Sequence, residues 1–217
     1  MKEKIRILLV DDHTLFRESL GQLLAGESEM VVVRSVGDAD SAIRSAVELS
    51  PDVILMDIDM PGLICFDAAD QILRLREKAR IIFLSAFFHD HYIEQALRVK
   101  ARGYLTKSEP SNKVIEAIRQ VAAGRVYFSP EVATRIIADD TGVHLQDQKT
   151  RAAMLTEREI EVLRYLARGM AKKEIAATMH VSVKTVEGHA QKLMDKLDIH
   201  DRVELARYAI REGLAEA

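Results

Sequence analysis

The stretch from Val53 to Pro61 constrains the fold of this chain more than any other part of the sequence. It opens with four apolar residues, and such an unbroken run is typical of a β-strand buried on both faces, as in a parallel sheet covered by helices. The run ends on Asp57 and Asp59, and Pro61 follows them. Because proline interrupts regular strand pairing, we expect the strand to stop there and a loop to begin. The sequence thus predicts a buried strand that presents carboxylates at its carboxyl end.

A second apolar run, from Ile7 to Val10, ends in the same way on Asp11 and Asp12. Ligands of open α/β sheets bind outside the carboxyl ends of the strands, where the strand order reverses. If the two strands are neighbours, Asp11, Asp12 and Asp57 share one crevice, and their repulsion raises at least one pKa above about 3.9 unless a cation joins them. Mg²⁺, which prefers oxygen ligands, is the cation we expect. The alternative is that these carboxylates cap helices or stay solvated where loops begin.

The composition bounds the class of protein. A chain of 217 residues with 48% apolar residues is long enough for two domains, each with its own core. The net charge of −3 gives no overall basic field, although residues 151–217 carry 12 Lys and Arg against 11 Asp and Glu, compared with 19 against 23 elsewhere. The single cysteine, Cys65, excludes an internal disulfide. Without a signal-peptide pattern or an apolar segment of about 18 residues, we expect a soluble cytoplasmic protein that does not use a membrane.

From residue 5 to about residue 124, five apolar runs alternate with amphipathic segments of helix length. This alternation predicts a doubly wound parallel sheet of five strands. The runs are Ile5–Val10, Val31–Val36, Val53–Met56, Ile81–Leu84 and Gly103–Leu105.

Two further polar residues follow strands of this predicted sheet. Ser85 follows the fourth run and Lys107 the fifth. A hydroxyl donor and a flexible ammonium group are suited to holding the oxygens of a phosphoryl group. Either residue alone would usually be a helix cap or a solvated loop residue, but beside three aspartates a phosphoryl site is the preferred interpretation.

These residues make the first part of the chain, residues 1–124, resemble the receiver domain of two-component response regulators. The motifs that carry the resemblance are Asp11-Asp12, Asp57, Ser85-Ala86 and Lys107. The resemblance implies a flavodoxin-like α/β fold and makes Asp57 the nucleophile that accepts a phosphoryl group from a sensor histidine kinase. It also implies that Asp12 and Asp57 bind Mg²⁺ through their side chains. Asp59 would bind it through its backbone carbonyl, and Asp11 would act through water.

The same resemblance gives roles to three residues that are not carboxylates. Ser85 and Lys107 would contact the phosphoryl oxygens, and Tyr104 would move inward when Ser85 is recruited. For Tyr104 the alternative is a simple aromatic side chain on an edge strand. The sequence departs from the family at Asp59, an extra carboxylate, and at Ile64-Cys65, where the loop commonly has Asp-Gly. These departures bear on the rate of phosphorylation and the lifetime of the phosphoryl group, and neither removes a reacting residue.

Residues 125–152 are predicted to form a linker with a short helix. Pro130 follows Ser129 and suits the first position of a helix. From Asp139 to Thr150 the sequence is polar with little periodicity, which favours a connecting segment.

From Leu155 onward the apolar periodicity is that of helices alone, and four helices are predicted. In the third, Val186, Ala190, Leu193 and Leu197 form one apolar face. The residues left on the polar side include Lys184, Thr185, Gly188, Gln191 and Lys192. This pattern fits a helix-turn-helix offered to a major groove, and equally a helical bundle with a solvated face, because the local charge is only mildly basic.

Resemblance to a second family decides between these two interpretations. Residues 153–217 resemble the LuxR-type DNA-binding domain through Leu155–Glu159, Val162-Leu163, Gly169, Lys173–Ala176, Val181-Ser182, Thr185-Val186, His189, Lys196-Leu197 and Arg202. With the receiver, nearly the whole chain resembles a NarL/FixJ-type response regulator. The resemblance implies a transcription factor that is not an enzyme, binds a two-fold DNA site and is a homodimer when phosphorylated or on DNA.

By the same resemblance, Lys184, Thr185, Gly188, Gln191 and Lys192 face the DNA. The lysines would contact phosphates and Gln191 a base edge, while Gly188 would allow close approach.

The last helix is predicted to turn Val203, Ala206 and Ile210 inward and to use Leu205 and Tyr208 for the dimer contact.

Two rival functions remain. Asp57-Ile58-Asp59 after a buried strand mimics the nucleophile and acid of haloacid dehalogenase-type phosphatases, but that family places the pair on its first core strand. The other rival keeps the architecture and drops phosphate control, so that the receiver acts through protein contact.

Overall fold

The structure is a computed structural model, and it describes residues 4–60, 65–86, 90–133, 136–139, 142–145, 154–212 and 214–215. Ile64, singled out above, lies outside these residues. The chain divides into two compact units, with the main division between residues 146 and 147. None of the helices in the described part of the chain is long and apolar enough to cross a membrane.

The first unit is built from five β/α repeats. Its strands are β1 (Ile5–Val10), β2 (Met30–Val36), β3 (Val53–Asp57), β4 (Ile81–Ser85) and β5 (Gly103–Thr106). Its helices are α1 (Thr14–Ala25), α2 (Ala39–Leu49), α3 (Cys65–Leu75), α4 (Asp90–Arg98) and α5 (Ser111–Ala122). The strands are parallel in the order β2-β1-β3-β4-β5, which confirms the doubly wound sheet.

The strand order reverses beside β1, which pairs with β2 on one side and β3 on the other. The register sets Leu9 against Leu55 and Val10 against Met56, so β1 and β3 end at the same level. Strands β3 and β4 are buried along their whole length, as their unbroken apolar sequences predict. Asp11 and Asp57 therefore meet at the switch point of the sheet.

A sixth strand, β6 (Tyr127–Phe128), adds to the edge of the predicted five-stranded sheet. It pairs in parallel with β5, where Gly103 lies opposite Tyr127. A Cβ at Gly103 would lie 2.8 Å from the carbonyl oxygen of Tyr127, so glycine permits the two backbones to approach. Two residues are too few to show a strand periodicity, and the sequence therefore gave no signal for β6.

The connecting region contains more regular structure than its polar sequence predicts. Helix α6 (Pro130–Ala133) confirms the short helix that begins with proline. Strands β7 (Ile136–Asp139) and β8 (Gly142–Leu145) then form an antiparallel pair. Ile136 and Ile137 were predicted to continue the short helix, and a polar segment was predicted from Asp139 onward.

In the described part of the second unit there are four helices, as predicted: α7 (Glu157–Ala167), α8 (Lys172–Thr178), α9 (Val183–Leu197) and α10 (Arg202–Arg211). Thr156 and Glu159 close the capping box that starts α7. At α8 only half of this arrangement exists, because Ala171 offers no side-chain oxygen while Glu174 accepts a hydrogen bond from its backbone N–H. Ser182 caps α9 by accepting a hydrogen bond from Thr185 N.

The prediction for the faces of α10 was wrong. Leu205 and Tyr208, expected at a dimer contact, are buried, whereas Val203 is 61% exposed and Ile210 39% exposed. Helix α10 packs mainly against α7 and turns Leu205, Tyr208 and Ala209 toward the core. Both stripes have helical spacing, so the sequence alone did not determine which one packs inward.

Candidate functional site

Three aspartates converge at the carboxyl ends of β1 and β3. Asp57, the last residue of β3, is fully buried, and Asp11, just beyond β1, is 3% exposed. Ligand atoms of Asp11, Asp12, His13 and Asp57 all lie within 4.8 Å of one another. The shared crevice predicted for the three aspartates is thus present, and His13 joins them.

Lys107 supplies the positive charge that faces this cluster. Its Nζ lies 2.8 Å from Oδ2 of Asp11 and 3.0 Å from Oδ2 of Asp57. Its backbone N–H donates to the carbonyl of Ser85, which holds the residue at the ends of β4 and β5. The ammonium group also lies over the ring of Phe16, 4.7 Å from its centre. Lys107 therefore bridges the two most deeply buried carboxylates of this cluster, those of Asp11 and Asp57.

Burial dominates the electrostatics of Asp57. It raises the pKa of this carboxyl to about 7, against the lowering effect of Lys107 and together with repulsion from Asp59 and Asp11. Burial alone would lower the pKa of Lys107, but attraction to Asp57 and Asp11 raises it above its usual value. Ionisation of Asp57 is thus less favourable than that of an exposed aspartate, and additional positive charge beside it would favour the ionised form.

The donor set fits a hard divalent cation. Among the described residues, Oδ2 of Asp11, Oδ1 of Asp12 and Oδ2 of Asp57 are buried, and their near partners are the ammonium group of Lys107 and the imidazole of His13. Carboxylate oxygens are the ligands that Mg²⁺ prefers, and a divalent ion would relieve the repulsion between them. Asp59 lies at the rim, where its backbone N–H donates to Oδ1 of Asp57 across 3.2 Å.

Ser85 and Tyr104 form a second group beside the carboxylates. Both side chains are fully buried, at the end of β4 and within β5. Burial raises the pKa of the Tyr104 hydroxyl far above its usual range, and a hydrogen bond with Ser85 opposes that rise. Tyr104 is thus directed inward, toward the hydroxyl of Ser85.

The structure assembles most of the predicted phosphoryl site. Asp11, Asp12, Asp57 and Lys107 lie in direct proximity. The sequence analysis missed His13, although its position directly after the Asp11-Asp12 pair was a usable signal.

Helix α9 presents an open polar face in the second unit. Its inward face consists of Val186, Ala190, Leu193 and Leu197, all buried as predicted. The five predicted DNA-facing residues, Lys184, Thr185, Gly188, Gln191 and Lys192, are all exposed. A Cβ at Gly188 would meet nothing within 4 Å, so its surface is unobstructed. On the same face, Gln191 donates a hydrogen bond to Asp195 across 2.8 Å.

A half-buried ion pair holds α9 against α7. Lys196 Nζ lies 2.6 Å from Oε2 of Glu159, the residue that closes the capping box of α7. A separate, exposed contact joins the start of α10 to the residues after α7, because Arg202 donates to the backbone carbonyl of Met170. The ion pair therefore fixes the polar face of α9 relative to α7.

Comparison with known proteins agrees with both halves of this description. The family described as response regulator receiver domain matches residues 7–119, and the bacterial regulatory proteins of the luxR family match residues 153–209. The chain belongs to the two-component response regulators that join a receiver domain to a LuxR-type DNA-binding domain. Members of this family are transcription regulators rather than enzymes. The phosphatase interpretation is therefore not retained.

Three similar proteins illustrate the relationship. The transcriptional regulatory protein LiaR of Bacillus subtilis (strain 168) is 34% identical over 97% of this chain and 99% of its own length. The oxygen regulatory protein NreC of Staphylococcus carnosus (strain TM300) is 32% identical over 98% of this chain and 100% of its length. Among solved structures, Salmonella enterica serovar Typhimurium RcsB bound to promoter P1flhDC shares the fold with a TM-score of 0.66 and 21% identity, over 95% of this chain and 98% of that one.

Proposed function

We propose that this response regulator is a transcription factor switched by phosphorylation of Asp57 by a sensor histidine kinase. In this proposal residues 1–124 are the phosphoacceptor domain, residues 125–152 the linker and residues 153–217 the DNA-binding domain. The observation that carries it is the bridge from Lys107 to Asp11 and Asp57 at the switch point of the sheet. A buried carboxylate beside a fixed ammonium group suits a nucleophile that must receive a phosphoryl group.

The proposed reaction forms an acyl phosphate. A carboxylate oxygen of Asp57 attacks the phosphorus of the kinase phosphohistidine, the P–N bond breaks, and the kinase imidazole leaves with its electron pair. Asp57 must be ionised to attack, and Lys107 favours that ionised form against the effect of burial. After transfer, Lys107 and Ser85 would hold phosphoryl oxygens, since both lie beside the cluster.

Mg²⁺ is the cofactor that we assign to this site. Asp12 and Asp57 would hold it through side chains, Asp59 through its carbonyl oxygen and Asp11 through water. When bound, it would neutralise charge on the phosphoryl group. The clustering of buried carboxylate oxygens from Asp11, Asp12 and Asp57 supports this assignment.

The proposed output is specific DNA binding by α9. Lys184 and Lys192 would contact phosphates, Gln191 would contact a base edge, and Thr185 would add a hydroxyl contact. Gly188 would let the helix approach the groove closely. All five residues are exposed, which supports this arrangement. We propose that a homodimer binds a two-fold DNA site, and that the protein acts in the cytoplasm, where its kinase and DNA partners are accessible.

The test is phosphorylation of the full chain with Mg²⁺ and acetyl phosphate, followed by intact mass and sedimentation. Wild type should gain one phosphoryl group and dimerise, while Asp57→Ala should do neither. The matched control is Asp70→Asn on α3, where an exposed aspartate pairs with Arg74, and it should behave as wild type. Absence of the mass gain in wild type would reject phosphorylation as the switch.

The buried position of Tyr104 favours one alternative. Its side chain is fully buried and hydrogen-bonded to Ser85, which is the inward arrangement of this part of the proposed switch. If the unphosphorylated protein binds its DNA site as tightly as the phosphorylated protein, the receiver acts through protein contact instead.

A further inference from the structure

His13 is the one member of the carboxylate cluster that the proposed function leaves without a role. Its Nδ1 lies 2.9 Å from Oδ1 of Asp12 and 3.5 Å from Oδ1 of Asp11. The residue occupies the position that precedes α1, yet its side chain makes no capping hydrogen bond to that helix. Its backbone N–H donates instead to Oδ1 of Asp11 across 2.7 Å. The imidazole therefore faces the carboxylates rather than the helix.

The spacing of the ligand atoms fits a six-coordinate ion. Neighbouring ligands of an octahedral ion with bonds of about 2.1 Å lie about 3 Å apart, and opposite ligands about 4.2 Å apart. The distance from His13 Nδ1 to Oδ1 of Asp12, 2.9 Å, is that of neighbouring ligands, and Oδ1 of Asp11, which would act through water, lies 3.5 Å from the same nitrogen. All ligand atoms of the cluster lie within 4.8 Å of one another, which is only slightly more than the distance of about 4.2 Å between opposite ligands. The cluster would therefore contract only slightly around an ion.

The backbone around the ligands is held in place. Arg17 donates a hydrogen bond to the backbone carbonyl of Asp11, and the Asp11 side chain in turn accepts from His13 N. The His13 side chain itself is 64% exposed, so its ring can adjust toward an ion without disturbing the core. The rigid part of the site thus supplies carboxylates, and the adjustable part supplies nitrogen.

We propose that His13 is a further ligand of this cation site, through Nδ1, and that it raises the affinity of the site for transition ions that favour nitrogen, such as Ni²⁺, relative to its affinity for Mg²⁺. A site with oxygen ligands alone suits Mg²⁺ and Mn²⁺, whereas an imidazole nitrogen favours Ni²⁺, so Ni²⁺ binding should gain most from His13. The inference rests on the proposed function only for the location of the cation. The His13 nitrogen would give the site a preference among metal ions that the three aspartates alone do not give it.

The experiment uses the full-length protein and metal ions alone, at one fixed pH. Mn²⁺ binding is followed by loss of the free-ion electron paramagnetic resonance signal, Mg²⁺ by competition with Mn²⁺, and Ni²⁺ by isothermal titration calorimetry. The variant is His13→Ala. The matched control is His180→Ala, which removes an exposed imidazole from the second unit.

His13→Ala should weaken Ni²⁺ binding at least about tenfold and Mn²⁺ binding less, with Mg²⁺ binding changed by less than about twofold. Pulsed spectroscopy of bound Mn²⁺ should show a coupled nitrogen in wild type and His180→Ala, and none in His13→Ala. Equal losses for all three ions, or a nitrogen signal that persists in His13→Ala, would overturn the proposal. No phosphodonor is present, so a failure of Asp57 phosphorylation would leave these results standing and reject only the proposed function.

Discussion

Nζ of Lys107 lies 3.0 Å from Oδ2 of Asp57, and this pair only partly offsets the burial of the carboxylate. The pKa of Asp57 stays raised to about 7 because the carboxyl group is enclosed between β1, β4 and the loops at the sheet edge. A bound cation would supply further positive charge and would therefore favour the ionised form of Asp57. This property links the stability of the metal-free protein to its readiness to bind a cation.

We predict that Asp57→Asn makes the metal-free protein more stable than wild type at pH 8. The folded pKa of Asp57, about 7, lies above the unfolded value of 3.8, so protonation stabilises the folded state at low pH and this contribution is lost as pH rises toward 7. The full difference corresponds to roughly 4 kcal/mol as an upper bound. Urea unfolding with EDTA should show a gap between variant and wild type that widens from pH 4 to pH 8.

Mg²⁺ supplies the complementary measurement. At pH 8 it should raise the unfolding midpoint of wild type and leave that of Asp57→Asn nearly unchanged, because a ligand that binds only the folded state stabilises it. Asp70→Asn, the exposed control, should follow wild type in both experiments. If the wild type and Asp57→Asn curves run parallel across this pH range, Asp57 is not the source of the linkage.

Removing the carboxylate of Glu159 should destabilise the second unit. Although burial alone would raise its pKa, hydrogen bonds from Lys196 and from Thr156 N lower it below the usual value. Glu159→Ala leaves both donors without this acceptor, and we expect a loss of about 1–3 kcal/mol in the free energy of unfolding. The loss should be largest at neutral pH and shrink as pH falls through the lowered pKa, since the stabilising form is the ionised one.

The matched control for Glu159 is Glu187→Ala. Glu187 is exposed and lies 3.6 Å from Lys172, so its removal should change stability by less than about 0.5 kcal/mol. Chemical denaturation of both variants at two pH values makes the comparison. Equal effects of the two substitutions would show that the contact between α7 and α9 carries no special stability.

The sequence predicted well those features that repeat with a regular period. Four successive inward residues of α9, beginning with Val186, were found from spacing alone because a single apolar stripe leaves one way to pack the helix. The carboxylate crevice was predicted because two buried strands end on aspartates, and parallel neighbours bring their ends together.

Two of the features that were missed depend on contacts between distant parts of the chain, and the third depends on local backbone conformation. In α10 two apolar stripes compete, and packing against α7 selected the one that contains Leu205. Strand β6 forms because Gly103 admits the backbone of Tyr127, which no local pattern shows. The imidazole of His13 joins the cluster through the local backbone conformation after β1, a feature that composition and periodicity do not report.

The corrected faces of α10 predict different effects for two substitutions. Leu205→Ala removes a fully buried side chain and should cost about 2–5 kcal/mol of stability. Ile210→Ser, at a side chain that is 39% exposed, should cost less than about 1 kcal/mol. If the apolar exposed stripe serves the proposed dimer, Ile210→Ser should instead weaken self-association of the phosphorylated protein in sedimentation. Equal destabilisation by both substitutions would contradict the observed rotation of α10.

Gly188→Ala should separate stability from DNA binding. Alanine stabilises a helix interior by about 0.5–1 kcal/mol relative to glycine, and a Cβ at this position meets nothing in the protein. If α9 enters the major groove with Gly188 against the DNA, the same methyl group should weaken binding. Gly21→Ala in α1 is the control, because its Cβ would make only an ordinary contact with Leu9, and DNA binding should not change. A Gly188→Ala protein that binds DNA normally would remove Gly188 from the interface.

Gln191 donates a hydrogen bond to Asp195, and substitutions of these two residues should therefore affect DNA binding in different ways. Gln191→Ala should reduce discrimination at one base pair by about 1–3 kcal/mol and leave the salt dependence of binding unchanged, because an amide reads a base edge without neutralising a phosphate. Lys192→Ala should weaken binding to all sequences and lower the salt slope by about one.

Asp195→Ala should tighten DNA binding. The substitution removes a carboxylate from the face of α9 that is proposed to meet DNA, and it frees the side-chain amide of Gln191. Titrations of a DNA site and its single-base variants at several salt concentrations test all three, and a uniform loss in Gln191→Ala would show that its amide stays with Asp195.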